Sequence, residues 1–381
     1  MQIGEEVTIT PTELVAGGAA LARIDGFPIF ATSVFPGDVA VVRLSEVKKG
    51  FAKADLVRVI SSSSLRRLEP CPIAGECGGC DWTALRLDAQ LEAKRRILSE
   101  SLRRTGKIDP ASLPEIRIHP SPLNYRLRSR LHRDGDTIGF YAMRSNRVVP
   151  LARECEVVGL ETAELAVGGG QLAEENDQAI EIWEIGGRIS TANRPLPTAD
   201  CLMSITVENF TYNLAPDAFF QVNRHLLGTM LRLVSAIASH TRMKTLAVDL
   251  YAGVGFFTLP LSRLFERVIA VEGAAASARC ARSNVPSNVE IVEKAVERVT
   301  LPDADFIFLD PPRAGARPEV IDAVGRHAKE TIAYLSCDPV TFARDANRLL
   351  ASGWRLSTLD LLDLFPNTHH VETLSSFERV A

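Results

Sequence analysis

The 381-residue chain lacks any uninterrupted apolar run long enough to cross a bilayer, and its first residues, Met1 to Val7, offer neither a basic start nor an apolar signal core. A cytoplasmic protein with no membrane partner is expected. It also lacks an excess of positive charge: 43 Lys and Arg stand against 47 Asp and Glu, a net charge of −4 that argues against wholesale binding of polyanions. No internal repeat is visible. The seven cysteines are odd in number and follow no signal segment, which argues against a disulfide framework and leaves metal binding or catalysis as their uses.

What is present is ordinary for a globular protein of two or three domains, 46% apolar and 24% charged. Charge is unevenly placed. Residues 1–160 carry 23 basic against 19 acidic side chains, the remainder 20 against 28. Residues 3–60 show short alternating apolar runs broken at Gly17-Gly18, Asp25-Gly26 and Pro36-Gly37-Asp38, the spacing of a small β-barrel or sandwich, with 39–44 and 54–60 as its later strands. Ser61 to Ser64 reads as a linker. Thr83 to Thr105 predicts a helix ended by Gly106, with Leu87, Leu91, Lys94, Leu98 and Leu102 near one face. A basic set, Lys94, Arg95, Arg96, Arg103 and Arg104, lies nearby.

Alternation over residues 124–133 predicts a strand with Arg126, Arg128 and Arg130 on one side and Tyr125, Leu127 and Leu131 on the other. Such a stripe is either a solvated face or a grip on phosphates and bases. Gly168-Gly169-Gly170 neither follows a strong strand signal nor opens a clear helix, so it reads as a turn and not a phosphate loop. From about residue 219 longer helix and strand signals alternate, which implies a parallel sheet; 245–250, 267–271, 289–292, 305–309 and 331–335 are its strand candidates.

Three motifs sit at the carboxyl ends of those candidate strands. Asp249-Leu250-Tyr251-Ala252-Gly253-Val254-Gly255 closes the first, and Glu272 closes the second, where a carboxylate can accept hydrogen bonds from a ribose diol. The spacing is not that of a dinucleotide fingerprint; it resembles the S-adenosylmethionine site of class I methyltransferases. Asp310-Pro311-Pro312-Arg313 follows the next strand as a rigid loop facing the ligand crevice, and it also resembles the loop by which amino-methylating enzymes hold a planar nitrogen. Ser336-Cys337-Asp338-Pro339 follows the last, 35 positions before Glu372 in His370-Val371-Glu372-Thr373.

Cys337 separates the possible reactions. Methylating C5 of a pyrimidine needs an electron-rich carbon, which thiolate addition at C6 creates; a base such as Glu372 must then remove the C5 proton so that the thiol can leave. An N-methyltransferase would need neither group. RNA cytosine-C5 enzymes usually carry a second cysteine in the Asp-Pro-Pro loop, where this chain has Arg313, so uracil is preferred.

On these motifs the chain resembles the RNA uracil-C5 methyltransferases that modify 23S rRNA or the thymine loop of tRNA, over nearly its entire length through Phe365 to Glu372. The resemblance implies an α/β fold: a Rossmann-like class I methyltransferase domain with an N-terminal OB-type β-barrel (TRAM) and a central α+β iron-sulfur domain. It implies residues 1–62 as the TRAM domain, 63–82 and 116–218 as the central domain, and 83–115 with 219–381 as the methyltransferase domain. By the family pattern Gln221, Tyr251, Gly253, Glu272 and Asp310 form the S-adenosylmethionine site, with Cys337 and Glu372 catalytic. Phe256 stands where many relatives have a small or polar residue, and Ala252 replaces a frequent cysteine.

Cys71, Cys77 and Cys80, with Cys155, supply four thiolates, a number that suits zinc or a [4Fe-4S] cluster. The resemblance implies the cluster, in a structural or RNA-facing role. Cys201 and Cys280 read as core residues. The expected function is methylation of one uridine in 23S rRNA by a monomer, with RNA affinity from the barrel and from Arg126, Arg128 and Arg130. A tRNA substrate is the first alternative and a non-catalytic RNA-binding iron-sulfur protein the second.

Overall fold

The computed structural model describes residues 1–167, 179–185, 188–192, 203–215 and 217–380. The Gly168 to Gly170 turn and Cys201 lie outside them. Six strands form the first unit: β1 (Glu6–Ile9), β2 (Glu13–Leu14), β3 (Ala20–Ile24), β4 (Phe27–Thr32), β5 (Val39–Val47) and β6 (Ala52–Ser61). They make one sheet of order β1-β5-β6-β4-β3-β2 in which only β4 and β6 pair in parallel. Register shifts along β5 and β6 bend the pair, as bulges do where a sheet curls. Small apolar residues, Ala20, Ala22, Ala31, Ala40, Ala52 and Ala54, fill its buried face.

Helix α1 (Leu87–Arg104) starts four residues later than the sequence reading and ends one earlier. It packs on helix α7, named below, through Ile97, Leu98 and Leu102. Lys94 lies on that apolar face, fully buried, so it belongs to the core and not to the basic set around it. Three of the others pair along the helix: Arg95 with Glu92, and Arg103 and Arg104 with Glu100.

Strand β7 (Ile116–His119) comes next, then β8 (Arg128–Asp134), β9 (Thr137–Tyr141), β10 (Val148–Pro150), α2 (Leu160–Val167), β11 (Ala179–Ile185) and β12 (Arg188–Ala192). Strands β8 to β12 form a sheet of order β10-β9-β8-β11-β12 over a core of Tyr125, Leu131, Ile138, Phe140, Val157 and Ile180. Strands β13 (Met203–Val207) and β14 (Phe210–Leu214) make a hairpin.

The last unit holds α3 (Leu227–His240), β15 (Leu246–Leu250), α4 (Thr258–Leu261), β16 (Arg267–Glu272), α5 (Ala275–Asn284), β17 (Val289–Glu293), β18 (Ala304–Leu309), α6 (Pro318–His327), β19 (Ala328–Ser336), α7 (Pro339–Ala351), β20 (Trp354–Leu362) and β21 (Glu372–Arg379). All five strand candidates are present. Together with β7 these strands form an eight-stranded sheet of order β17-β16-β15-β18-β19-β21-β20-β7. The five from β17 to β19 are parallel; β15, β16, β18 and β19 are near-continuously apolar and buried, as expected of strands covered on both faces, whereas the edge strand β17 alternates apolar residues with Glu290 and Glu293. Strand β21 enters antiparallel between β19 and β20. Strand β7 pairs with β20, so residues 116–119 extend the catalytic sheet past the boundary drawn at 115. Among the described residues no helix is long and apolar enough to cross a membrane.

Candidate active site

Chain order reverses across β15: the chain runs outward through β16 and β17, then returns to β18 on the other side. Ligands of open α/β sheets bind at the carboxyl ends of the strands where this reversal leaves a crevice. The three sequence motifs end there.

After β15 the backbone turns sharply. Tyr251 has φ of +61°, a left-handed conformation that non-glycine residues rarely hold, and Gly253 and Gly255 have φ of +56° and +85°. The turn aims the Gly253 N–H at Glu272 Oε2, 2.8 Å away, while Glu272 Oε1 accepts from Ala274 N at 2.6 Å. Two backbone donors thus orient the carboxylate at the end of β16, and each oxygen keeps a lone pair for a ligand hydroxyl. The Tyr251 hydroxyl donates to Glu297 at 3.3 Å. Phe256 and Phe257 are buried against Phe220, Tyr212 and Phe308, which makes them core and not ligand contacts.

Asp249, one residue before the end of β15, was not singled out as a charged member of the site. It is buried, its Oδ2 accepts from Thr258 Oγ1, and its Oδ1 has no partner. Burial first, and the Glu272 charge second, push its carboxyl up to about 7. Asp310, at the end of β18, accepts from Gln221 Nε2 at 3.0 Å; burial, then the charge of Asp249, raise it to about 7 against the Gln221 bond.

Cys337 follows β19, and Asp338 caps α7 by accepting from the N–H groups of Val340 and Thr341. The ladder of β19 and β21 runs to Ser336 opposite Thr373, so one step further sets Cys337 across from Glu372. Glu372 is buried, and burial, followed by the Asp310 charge, holds its carboxyl well above the ordinary range. Burial, then Glu372 and Asp310, push the Cys337 thiol up to about 12, with Arg313 opposing. Cys337, Glu372, Asp249 and Asp310 therefore share one environment in which burial first, and neighbouring carboxyls after it, disfavour negative charge. Clustered, strongly shifted groups at a crevice mark reacting centres, and this one suits a ligand bearing positive charge.

The structure brings Gln221, Asp310, Cys337 and Glu372 together, with Gly253 and Glu272 beside them. Four cysteines lie in a second region of the molecule. Cys71, Cys77, Cys80 and Cys155 lie within one another's electrostatic reach, and Cys77, Cys80 and Cys155 pack on the Tyr125 and Phe140 core. Gly79 N donates to Cys77 Sγ at 3.4 Å. Gly78 leaves no room for a side chain, since a Cβ there would come within 2.9 Å of the Tyr141 carbonyl. Among the described residues no three or more His, Cys, Asp or Glu side chains are grouped so as to hold a metal ion.

The arginine stripe departs from a free basic face. Arg126 lies beside the cysteines, its guanidinium 5.2 Å from the Phe140 ring centre and its buried Nε without a partner. Arg128 pairs with Glu181 at 2.9 Å and covers Trp183; Arg130 is exposed and approaches Glu181 at 3.5 Å. Burial alternates as expected, but the strand begins only at Arg128, which leaves Arg126 outside it, and sequence alone does not reveal that Glu181 on β11 compensates both Arg128 and Arg130.

A family model described as tRNA (Uracil-5-)-methyltransferase matches residues 198–302 and 298–380. The 23S rRNA (uracil(1939)-C(5))-methyltransferase of Edwardsiella ictaluri is 31% identical, covering 98% of this chain and 96% of that protein. The like-named protein of Pseudomonas aeruginosa is 29% identical over 99% of this chain and 95% of its own length. The crystal structure of Pyrococcus abyssi tRNA (uracil-54, C5)-methyltransferase in complex with S-adenosyl-L-homocysteine shares the fold, with a TM-score of 0.75 at 24% identity over 97% of this chain and 99% of that one. With full-length likeness at this identity and a site assembled at the reversal point of the sheet, the chain belongs to the RNA uracil-C5 methyltransferase family.

Proposed function

We propose that the chain transfers a methyl group from S-adenosylmethionine to C5 of one uridine in 23S rRNA, with Cys337 as nucleophile and Glu372 as base. The observation that carries this reading is the position of Cys337 and Glu372 one step past the Ser336–Thr373 pair that ends the ladder between β19 and β21, each within electrostatic reach of the other and of Asp310.

The thiolate of Cys337 bonds to C6 of the uracil, and the C5–C6 π electrons move toward the carbonyl oxygen as an enolate. Carbon 5 then takes the methyl group as its bond to sulfur breaks. Glu372 removes the C5 proton, the double bond re-forms, and Cys337 departs with the electron pair of the C6–S bond. A target base inside a stack must first be turned out of it to reach a buried thiol. Glu272 holds the ribose of the methyl donor and Asp310 lies toward its charged end. Burial raises Asp249, Asp310 and Glu372 first and the charge of neighbouring carboxylates adds to it; a sulfonium beside these carboxyls relieves that repulsion where its neutral thioether product does not.

The four cysteines would hold a [4Fe-4S] cluster. The chemistry of the donor set supports it, since Cys71, Cys77 and Cys80 each feel Cys155, glycine backbone lies beside them and the buried Nε–H of Arg126 nearby has no partner, although the thiols are not drawn together as ligands among the described residues. When bound, that group joins two distant chain segments, and methyl transfer needs no electron from it. Residues 1–62 would be the TRAM barrel. The central domain would span 63–82 and the chain from about 120 to 218; the methyltransferase domain would take the rest, including β7. Exposed Arg130 is the member of the stripe best placed for phosphate.

A tRNA substrate is the second reading, favoured by the family model's description and by the Pyrococcus abyssi structure. Mapping 5-methyluridine across cellular RNA with and without the gene tests both. Loss of a mark from 23S rRNA supports the first reading, and loss from tRNA alone replaces it with the second.

A further inference from the structure

Asn367 is fully buried in the loop between β20 and β21, with φ of +66°. Its Nδ2 donates to Glu156 Oε2 at 2.8 Å, and its Oδ1 accepts from Gln90 Nε2 and Arg67 Nη2, each at 3.0 Å. Its backbone N–H donates to Gln90 Oε1 at 2.8 Å, and its carbonyl accepts from the N–H groups of Asp81 and Trp82 at 3.2 and 3.0 Å. Arg67 also grips Glu156 through both of its terminal nitrogens.

The chain positions of these partners matter. Asp81 and Trp82 directly follow Cys80, and Glu156 directly follows Cys155. Both cysteine-bearing segments therefore end on one residue, five positions before Glu372. Asp81 reaches further along the same loop, accepting from His369 N at 3.1 Å and meeting His369 Nδ1 at 2.6 Å. The loop has no strand partner of its own between Leu362 and Glu372; Lys94, Asn223 and Tyr125 hold its first half through Asp363, Leu364, Phe365 and Pro366, and the bonds of Asn367 and His369 hold the half that leads into Glu372.

We infer that Asn367 is a positioning residue for the reaction: it holds Glu372 in register with Cys337 by tying the loop to the segments that carry Cys80 and Cys155. The inference rests on the reading of Glu372 as base. It assigns the cysteine-bearing segments a role in the last chemical step without any chemistry at the cysteines. A general base must lie within hydrogen-bond reach of its proton, and an ångström of misplacement can cost about a hundredfold in rate. Cys337 stands on the other strand, outside the brace, and adds to the base regardless.

Asn367→Gly is the test, because glycine keeps a positive φ while the side-chain bonds vanish. With substrate RNA, kcat should fall by about tenfold or more while KM for S-adenosylmethionine stays within about twofold. A covalent protein–RNA adduct should accumulate on ordinary uridine substrate, since addition outpaces elimination. Hydrogen exchange of residues 366–373 should quicken in the free protein, with 246–272 unchanged. Glu156→Gln, which keeps size and removes one charged acceptor, should move each readout the same way by less, and it decides the matter if Asn367→Gly does not fold. Unchanged loop exchange, or a loss of adduct and product in parallel, overturns the inference. Glu372→Gln separates the two ideas: normal turnover there removes Glu372 as base, whereas adduct accumulation there beside wild-type turnover in Asn367→Gly removes only the brace.

Discussion

Cys337 and Glu372 lie one step past Ser336 and Thr373, the last paired residues of two antiparallel strands, and feel each other's charge although 35 residues separate them in sequence. Their nearness makes the order of bond formation testable. Cys337→Ala should abolish methyl transfer and trap nothing on RNA containing 5-fluorouridine. Glu372→Gln should still add its thiol and lose roughly 10²–10⁴-fold in kcat, the usual contribution of a positioned base. Equal residual activity in the two variants would contradict separate roles.

The Cys337 thiol, held up at about 12, is protonated throughout the neutral range in the ligand-free protein. Its thiolate fraction grows about tenfold per pH unit below that value. Alkylation of Cys337 by iodoacetamide, followed by peptide mass spectrometry, should accelerate log-linearly from pH 6 to 9. A plateau below pH 8 would show a partner that lowers the thiol.

Asp249 and Asp310 both have folded values near 7, above the ordinary carboxyl value of about 3.9. The sign follows: their contribution to stability is full below the unfolded value and is lost as pH rises through about 7. Thermal unfolding of the ligand-free protein should show Tm dropping between about pH 4 and 7 and levelling above that, and Asp310→Asn should flatten the drop. S-adenosylmethionine should raise Tm more at pH 8 than at pH 6, and the neutral S-adenosylhomocysteine should show less of this difference.

Removing the Glu272 carboxylate leaves the N–H groups of Gly253 and Ala274 without their acceptor and, on the proposed reading, takes away the partner of a ribose hydroxyl. Glu272→Ala should weaken S-adenosylmethionine binding by about ten- to a hundredfold, on the scale of hydrogen bonds to charged groups. Titration calorimetry measures it, and an unchanged Kd would move the ribose elsewhere.

Lys94 Nζ donates to Asp363 Oδ1 at 2.6 Å and to the Phe365 carbonyl at 2.9 Å in the core. Lys94→Met strands a buried carboxylate and should cost about 3–5 kcal/mol in denaturant unfolding. The double variant Lys94→Met with Asp363→Leu should recover most of that loss. Additive costs in the double variant would mean that the pair does not act as one unit.

The parallel strands and the motifs at their ends were legible because each is an apolar run closed by glycine, proline or acid, a pattern set by near neighbours. The rest depends on partners far along the chain. Residues 116–119 are too short to advertise a strand, and only pairing with β20 makes them one. Lys94 reads as surface charge until Asp363, 269 residues away, is beside it. Asn367 looks like an ordinary turn residue in Phe365-Pro366-Asn367-Thr368, because its ligands come from residues 67, 81, 82, 90 and 156. Arg126 and Arg128 look like a basic face until Phe140 and Glu181 are placed against them.

The pairing of Ile116 with Leu359 closes a loop of 243 residues (359 − 116). Closing so long a loop adds only a few kcal/mol of entropy, since the cost grows with the logarithm of length. It falls on the folding route, however, because contacts of high sequence separation slow the search for the native state. Until β7 docks, one edge of β20 presents unpaired backbone groups to any passing strand. A newly made chain is thus most open to aggregation in the interval between formation of the parallel sheet and arrival of residues 116–119.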